Sequence, residues 1–273
     1  MNTMPRRGAR VRSPVGAEDF VTCQWPNPNA RLRVFCFPFA GGGASAFNAW
    51  SNELPADIRT QTELCAIQLP GRETSMRSPP FHRLQPLVVA LAPVIMRYAH
   101  TPFVFLGHSM GALVSFELAR KLRRRGAPEP SHMIVSGHRA PHIPDRHPSI
   151  HRLPDQELVT KLRNFGRTPE GVLQNPELMA LLLPVLRADF AVCESYEYVS
   201  EEALACSITA FGGNDDEKVS RTELAAWQLE TNNSFSMHMF PGDHFFIQSA
   251  QSLVLRVLAQ DLKQVLRRLP SST

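Results

Sequence analysis

The sequence contains no apolar run long enough to cross a membrane. Its longest apolar stretch, PLVVALAPVIM at 86–96, is about half the length of a transmembrane helix and has Pro93 inside it. The first residues include arginines but no apolar segment behind them, so they do not have the pattern of a secretory signal. We therefore expect a cytoplasmic protein with no membrane partner.

The cysteines form no metal or redox motif. There are five of them: Cys23, Cys36, Cys65, Cys193 and Cys206. None belongs to a C-x-x-C pair, and their spacing does not match that of zinc ligands. Three lie in apolar, strand-like runs, where cysteine behaves as a small hydrophobic residue. We expect reduced, buried thiols and no metal site.

Beyond its first residues the chain has no excess of positive charge. The formal net charge of +4 comes from four arginines near the start: Arg6, Arg7, Arg10 and Arg12. Without them, 25 basic residues face 25 acidic ones. No basic stripe interleaved with aromatic residues follows, so we expect no nucleic-acid partner. Residues 1–18 are predicted to be a flexible basic arm, and residues 19–270 a single domain.

Short apolar runs alternate with helical patterns along the chain, which predicts a mostly parallel sheet covered by helices. Predicted strands lie at 33–37, 63–69, 103–107, 132–137, 206–211 and 234–240, with a further candidate at 20–25. Predicted helices lie at 46–54, 84–98, 110–125, 222–230 and 248–268. The alternation indicates an α/β protein without internal repeats.

One interval between two predicted strands is much longer than a crossover needs. Residues 138–205 include two helical patterns, DQELVTKLRNFG at 155–166 and a longer one at 175–196. Apolar residues cover nearly every side of the second pattern over 178–186. The interval is either additional core or a helical lid over an apolar substrate channel. An insertion at the carboxyl end of a strand overhangs the active-site edge of such a sheet, which favours a lid at about 140–196.

The stretch FLGHSMGAL at 105–113 contains the pattern G-x-S-x-G between a predicted strand and a predicted helix. In that context the two glycines permit a sharp, strained turn, which raises the serine hydroxyl above the sheet at a helix N-terminus. Ser109 is therefore the predicted nucleophile.

A serine nucleophile needs an acid and a histidine base, which follow it along the chain in that order in this kind of sheet. His244 lies in a loop directly after the last strand pattern, whereas His238 lies within that pattern, so His244 is the predicted base. The acid should follow the preceding strand, where FGGNDD offers Asp215 and Asp216. Spacing alone does not choose between these two carboxylates.

The intermediate of acyl transfer also needs two backbone N–H donors. One is predicted at Met110, directly after the nucleophile. The other should come from the loop PFAGGGASAF at 38–47, whose three glycines let the backbone approach a carbonyl group. No G-K-[ST] follows these glycines, so a phosphate-binding loop is not indicated.

Together these motifs resemble those of the type II thioesterases of polyketide and nonribosomal peptide assembly lines, within the α/β-hydrolases. The resemblance rests, in the family's order, on FPFAGGGASAF, LPGRE, GHSMGAL, ELMALLLPVLRADF, FGGNDD, AAW and GDHFF. It extends over nearly the whole chain after about residue 25. Thioesterases associated with fatty-acid synthase look similar in part.

The resemblance implies an α/β-hydrolase fold and a standalone enzyme that removes stalled or incorrect acyl groups from the phosphopantetheine arm of acyl or peptidyl carrier proteins. It implies Ser109 as nucleophile, His244 as base and Asp216 as acid, with the N–H groups of Ala40 and Met110 as the oxyanion hole. No cofactor is expected beyond the phosphopantetheine that the substrate carries, and a monomer is expected.

Two positions depart from the family pattern. Phe39 stands where the family often has histidine. The tripeptide EKV at 217–219 follows the acid, where a proline is common.

Carrier proteins are usually acidic around the serine that bears their prosthetic group, so basic clusters are candidate docking sites. RKLRRRG at 120–126 ends the helix that begins at the nucleophile, roughly 20 Å from the chemistry, and we expect it to complement the helix dipole. HRAPHIPDRHPSIHR at 138–152 follows the carboxyl end of a predicted strand. Arg139, Arg146 and Arg152 are therefore predicted to help dock the carrier.

Three other functions are compatible with the same residues. A carboxylesterase or lipase would apply the triad to an oxygen ester, and an acyltransferase would pass the acyl group to an alcohol or amine. A binding protein without activity normally lacks a triad member, whereas all three candidates are present here.

Overall fold

The computed structural model describes residues 20–165 and 168–270, so the predicted arm at 1–18 lies outside the described residues. Within them, seven strands form one sheet. The strands are β1 (Val21–Thr22), β2 (Leu32–Phe37), β3 (Thr62–Ile67), β4 (Phe103–His108), β5 (His132–Ser136), β6 (Ser207–Gly213) and β7 (Phe235–Phe240).

Helices fill most of the intervals between the strands. The α-helices are α1 (Trp50–Glu53), α2 (Ala56–Arg59), α3 (Leu84–Tyr98), α4 (Met110–Arg124), α5 (Asp155–Asn164), α6 (Glu170–Leu173), α7 (Pro176–Glu194), α8 (Arg221–Ala225), α9 (Phe246–Ser249) and α10 (Gln251–Arg268). Short 3₁₀ helices cover Ala44–Phe47, Glu73–Ser75 and Ala226–Glu230. Among the described helices, none combines the length and apolar character that crossing a membrane requires.

The sheet has the strand order β1-β3-β2-β4-β5-β6-β7. The edge strand β1 pairs antiparallel with β3, and the other pairings are parallel. In a parallel sheet the carboxyl ends of the strands lie at one edge, so the loops after β2, β4, β6 and β7 meet there. The predicted α/β architecture with a mostly parallel central sheet is confirmed.

Both faces of the sheet are buried, and alternate residues of each strand supply the two cores. In β2, Phe35 and Phe37 belong to one core, together with residues of α3 and α4. Val34 and Cys36 belong to the other, together with residues of α1, α2 and α10. This burial on two sides explains why the strands are apolar throughout rather than at every second position.

The interval between β5 and β6 forms the three helices α5, α6 and α7, which we call the insertion. They share a small core of their own, made by Leu158, Leu162, Leu173, Met179, Leu183 and Leu186. Asn175 caps α7 by accepting from two backbone N–H groups, and Pro184 lies inside the helix without ending it. Helix α7 packs against α4. The function of the insertion as a lid stays a prediction.

The boundaries of the elements differ from the sequence predictions where turns are short. The helix predicted at 46–54 is a 3₁₀ turn followed by α1, and the one predicted at 248–268 is divided into α9 and α10. The single-turn helices α2 and α6 were not predicted, because one turn is too short to show a helical period.

The expectation that all thiols are reduced is wrong for two cysteines. Cys23 and Cys65 form a disulfide, with their Cα atoms 4.3 Å apart. The antiparallel pairing of β1 with β3, in which Thr22 lies opposite Ala66, brings the two residues face to face. Their separation of 42 positions in the chain hides this proximity in the sequence. Cys36, Cys193 and Cys206 are free thiols.

Candidate active site

The turn from β4 to α4 holds Ser109 in a strained backbone conformation, with φ of 53° and ψ of −118°. Its N–H donates to the Ser136 carbonyl at 2.7 Å. A Cβ atom at Gly107 would lie 2.2 Å from the Gly111 carbonyl oxygen, and one at Gly111 would lie 2.1 Å from that of Phe37. Both glycines of the motif are therefore required by close backbone contacts, as the sequence pattern predicts.

The structure brings Ser109, His244 and Asp216 together in one chain of hydrogen bonds. The Ser109 hydroxyl donates to His244 Nε2 at 3.0 Å. The His244 Nδ1–H group donates to Asp216 Oδ2 at 2.8 Å. In this geometry His244 can take the proton of Ser109 Oγ, and the carboxylate stabilises the imidazolium that forms.

The geometry distinguishes Asp216 from Asp215, which spacing alone does not. The Asp216 side chain is fully buried, whereas Asp215 is exposed. Asp216 Oδ1 accepts from the N–H groups of Lys218 and Val219 at 2.8 and 3.3 Å. The EKV segment thus holds the carboxylate with its backbone, and this leaves Oδ2 aimed at His244.

The two candidate histidines occupy the predicted positions. His244 lies in the loop between β7 and α9 and is buried. His238 lies inside β7, where its ring meets the Phe211 ring edge to face at 6.0 Å. His238 is thus a packed strand residue.

The loop after β2 passes beside the nucleophile and contains Ala40, a predicted oxyanion donor. Its neighbours in this loop already have acceptors, because Gly41 N–H donates to Asp189 Oδ2 at 2.7 Å and Gly42 N–H to the Phe39 carbonyl at 2.8 Å. Met110 is the first residue of α4, so its N–H has no acceptor within the helix. The oxyanion role of Ala40 and Met110 remains a prediction.

Aromatic rings line one side of the site. The Phe39 ring lies edge to face with His108 at 5.9 Å and with Phe245 at 5.1 Å. Phe245 in turn meets His244 at 5.3 Å. Phenylalanine at position 39 therefore completes an apolar wall next to the base, where a histidine would have introduced a polar ring.

A second buried histidine, which the sequence analysis missed as part of the site, lies close to the triad. Burial lowers the pKa of His138 to about 4, with a further contribution from Arg139 and a smaller one from His244. His138 is thus neutral at neutral pH, and its Nδ1–H donates to the Arg139 carbonyl at 2.7 Å. The indole N–H of Trp227, from the AAW motif, donates to the His138 carbonyl at 2.7 Å.

A buried ion pair above the loop after β2 was also missed. Arg72 from LPGRE and Asp189 from α7 are bonded through two pairs of atoms, at 2.6 and 2.8 Å. An arginine and an aspartate, each within one of the motifs that carry the family resemblance, were the available signal. Nothing in the sequence indicates that they pair, because 117 positions separate them.

The arginines predicted to dock a carrier protein differ in exposure. The Arg139 side chain is 17% exposed and pairs with Asp145 at 3.1 Å. The Arg146 side chain is 54% exposed, 3.5 Å from Glu223. Arg152 is exposed and donates to the neighbouring His151. Two of the three guanidinium groups therefore face solvent, and the docking role stays a prediction.

Three of the five basic residues in the run at the end of α4 are paired with carboxylates. Arg120 contacts Glu117 at 2.6 Å and Glu201 at 2.9 Å. Arg123 contacts Glu201 at 3.1 Å, and Arg124 contacts the same carboxylate. These side chains therefore form ion pairs, in addition to the interaction with the dipole of α4 that the sequence predicts.

One group of side chains in the described residues has the composition of a metal site. Cys23, Glu63 and Cys65 have their ligand atoms within 4.8 Å of one another. The two sulfur atoms are bonded to each other, however, and Arg33 donates to the Glu63 carboxylate at 2.7 Å. In this form neither sulfur is a thiolate that could bind an ion.

The parallel sheet, the serine at a strand-to-helix turn and the acid and histidine after later strands define a serine hydrolase with the α/β-hydrolase fold. Residues 32–262 match the family described as Thioesterase domain. The chain belongs to the thioesterase family.

Relatives support the same family over nearly the whole chain. The gramicidin S biosynthesis protein GrsT of Aneurinibacillus migulanus is 48% identical over 240 residues, which cover 88% of this chain and 92% of that protein. RedJ, a thioesterase of the prodiginine biosynthetic pathway of Streptomyces coelicolor, is 34% identical, with a TM-score of 0.78 over 94% of this chain and 91% of that one. The type II thioesterase BorB of the borrelidin cluster is 31% identical, with a TM-score of 0.80 over 91% and 100%.

Proposed function

We propose that this thioesterase hydrolyses acyl groups from the phosphopantetheine arm of acyl or peptidyl carrier proteins, and so clears stalled or aberrant intermediates of polyketide or nonribosomal peptide synthesis. The observation that carries the proposal is the hydrogen-bonded chain Ser109–His244–Asp216, in a protein similar along its length to GrsT and BorB.

The reaction proceeds through an acyl-enzyme. Ser109 Oγ attacks the thioester carbonyl while His244 Nε2 takes its proton, and the N–H groups of Ala40 and Met110 stabilise the oxyanion. The C–S bond then breaks, and the proton on His244 passes to the departing sulfur, so His244 is neutral again. A thiol ionises near pH 8.5, so the thiolate leaves with less help from an acid than an alkoxide needs. Water, activated by His244, attacks the acyl-enzyme and releases the free acid and Ser109.

The proposal also covers the oligomeric state, the cofactor requirement and the location of the enzyme. It works as a monomer without a cofactor of its own, since the substrate brings the phosphopantetheine. We place it in the cytoplasm. The cytosol keeps most thiols reduced, so the disulfide between Cys23 and Cys65 would be an exception there.

The first experiment loads a carrier protein with short acyl groups and follows deacylation by intact-protein mass spectrometry. Wild type is compared with Ser109→Ala, and matched oxygen esters are offered in parallel. We expect fast deacylation that is lost in the variant, with weak ester turnover. A carrier that stays loaded while esters are cleaved would identify a carboxylesterase instead. Transfer of the acyl group to an added alcohol or amine would identify an acyltransferase.

Docking of the carrier is proposed to involve Arg139, Arg146 and Arg152. The test reverses Arg146 and Arg152 to glutamate, because both are exposed, whereas a charge reversal at the largely buried Arg139 would also disturb the fold. We expect a higher KM for carrier-bound acyl groups and an unchanged KM for a small thioester. Lys263→Glu, an equally exposed change on α10, is the matched control. Equal effects on both substrates would refute the docking role.

A further inference from the structure

A buried polar network joins the insertion to the loop after β2. Asp189 on α7 accepts from Gly41 N–H at 2.7 Å, and the same oxygen accepts from Arg72 Nη1 at 2.6 Å. Arg72 Nη1 also donates to the Gly42 carbonyl at 3.1 Å. One carboxylate and one guanidinium group therefore bind the two residues that directly follow Ala40.

This network is held in place on every side. The Arg72 and Asp189 residues are only 6% and 2% exposed. Arg72 Nε donates to the Pro70 carbonyl, and the Arg72 carbonyl accepts from Gln68 Nε2 at 3.0 Å. Two charges that are removed from water this completely persist only with matched partners, and a bidentate pair fixes orientation as well as distance.

The neighbours of Arg72 hold the far end of the same loop. Gln68 Oε1 accepts from Ala44 N–H at 3.0 Å. Glu73 accepts from the hydroxyl and the N–H of Ser45, at 2.5 and 3.3 Å. Glu73 itself has a φ of 46°, which is unusual for a residue with a side chain. The segment 68–73 is thus built as a support for the glycine-rich loop.

We propose that Arg72 and Asp189 are positioning residues of the oxyanion hole, and that Asp189 makes the placement of Ala40 N–H depend on helix α7. Neither side chain touches the reacting atoms in this role. They fix the peptides after Ala40, so an insertion that is seated on the sheet completes the catalytic loop, and one that moves away withdraws a hydrogen-bond acceptor from it. The inference rests on the proposed hydrolase mechanism and is independent of the carrier-protein substrate.

The test measures acylation and turnover with p-nitrophenyl butyrate, a substrate small enough to need no carrier. Asp189→Ala should lower kcat about 10- to 100-fold while KM changes by less than about threefold, because a misplaced donor weakens only the transition state. Asp189→Asn keeps an acceptor oxygen for Gly41 N–H. Its decrease in log kcat should therefore be at most half of the decrease in Asp189→Ala. Arg72→Lys, which keeps the charge but not the bidentate bond, should lie between wild type and Asp189→Ala.

The matched control is a second ion pair that is equally buried but not connected to the loop. Glu117 and Arg120 on α4 are 2.6 Å apart with side chains 3% and 2% exposed. Glu117→Gln should lower stability in denaturant without changing kcat per folded molecule. Variants are compared at a temperature where circular dichroism shows each to be folded. If Asp189→Ala does not fold, Asp189→Asn and Arg72→Lys alone decide the question.

The outcomes separate this inference from the proposed function. If Ser109→Ala keeps wild-type turnover of the ester, the hydrolase mechanism itself is wrong. If Ser109→Ala is inactive while the Asp189 and Arg72 variants keep wild-type kcat, only the positioning role is refuted. A rise in KM with unchanged kcat would also overturn it, because such a pattern indicates a part in substrate binding.

Discussion

Gly41 allows a direct test of how tightly the oxyanion loop is built. Its φ of +78° disfavours any residue with a side chain, and a Cβ atom there would lie 2.6 Å from Leu186 Cδ2 on α7. The backbone conformation costs alanine about 1–2 kcal/mol. Overlap with a buried side chain adds about 1–3 kcal/mol. We therefore expect Gly41→Ala to destabilise the fold by roughly 2–5 kcal/mol and, by displacing Ala40, to lower kcat at least about tenfold.

Gly126 supplies the matched control, because its φ is +61° and no atom of the described residues would lie within 4 Å of a Cβ atom added there. Gly126→Ala should show the conformational cost alone, about 1–2 kcal/mol, with unchanged kcat. Urea unfolding and ester turnover are measured for both variants. The double variant Gly41→Ala/Leu186→Ala should be less destabilised than the sum of its single changes. Equal destabilisation of the two glycine variants, with full activity in each, would refute the reasoning.

Three further predictions concern the acid, a buried histidine and the disulfide. Asp216→Asn should lower kcat by about 10³- to 10⁴-fold, whereas Asp215→Asn should change it less than threefold; comparable losses would contradict the assignment of the acid. Burial, with a smaller contribution from Arg268, lowers the pKa of His132 to about 4, so the unfolded chain takes up a proton near pH 6.5 that the native protein does not. The free energy of unfolding should therefore fall by about 3 kcal/mol as the pH drops from 6.5 to 4. In His132→Gln, unfolding should take up about one proton fewer in this pH range, so the free energy of unfolding should depend less on pH. An unchanged slope in this variant would contradict the assignment to His132. Thiol titration in denaturant should find three reactive cysteines before reduction and five after it. Reduction should lower the free energy of unfolding by about 2–4 kcal/mol. Five reactive cysteines before reduction would mean that Cys23 and Cys65 are free.

The positions of the main strands and the main site candidates could be predicted because local patterns determine them. A strand buried on both faces is apolar throughout, as β2 and β4 are, and a glycine on each side of Ser109 marks the turn between strand and helix. The histidine base could be chosen because His244 follows a strand and His238 lies in one. Spacing left the acid open and the resemblance implied Asp216; the physical reason is that the backbone N–H groups of Lys218 and Val219 hold this carboxylate toward His244.

Contacts that no sequence motif marks could not be predicted. The Cys23–Cys65 disulfide depends on the antiparallel register of a two-residue edge strand, and a segment that short has no period to detect. The pairing of Arg72 with Asp189 depends on where α7 rests against the sheet. The partial burial of Arg139 is also hidden in the sequence, which shows this residue and its partner Asp145, six positions further on, merely as charged.

The carboxylates around the end of α4 have a consequence for how the protein meets other molecules. Along the chain, 120–126 carries five positive side chains, and Glu117 and Glu201 compensate two of those charges within a few ångströms. The three charges that remain make this surface positive, with a field that salt screens beyond about 8 Å at physiological ionic strength. An acidic macromolecule should therefore be drawn in part to this surface, and removing the cluster should weaken the dependence of its association rate on ionic strength.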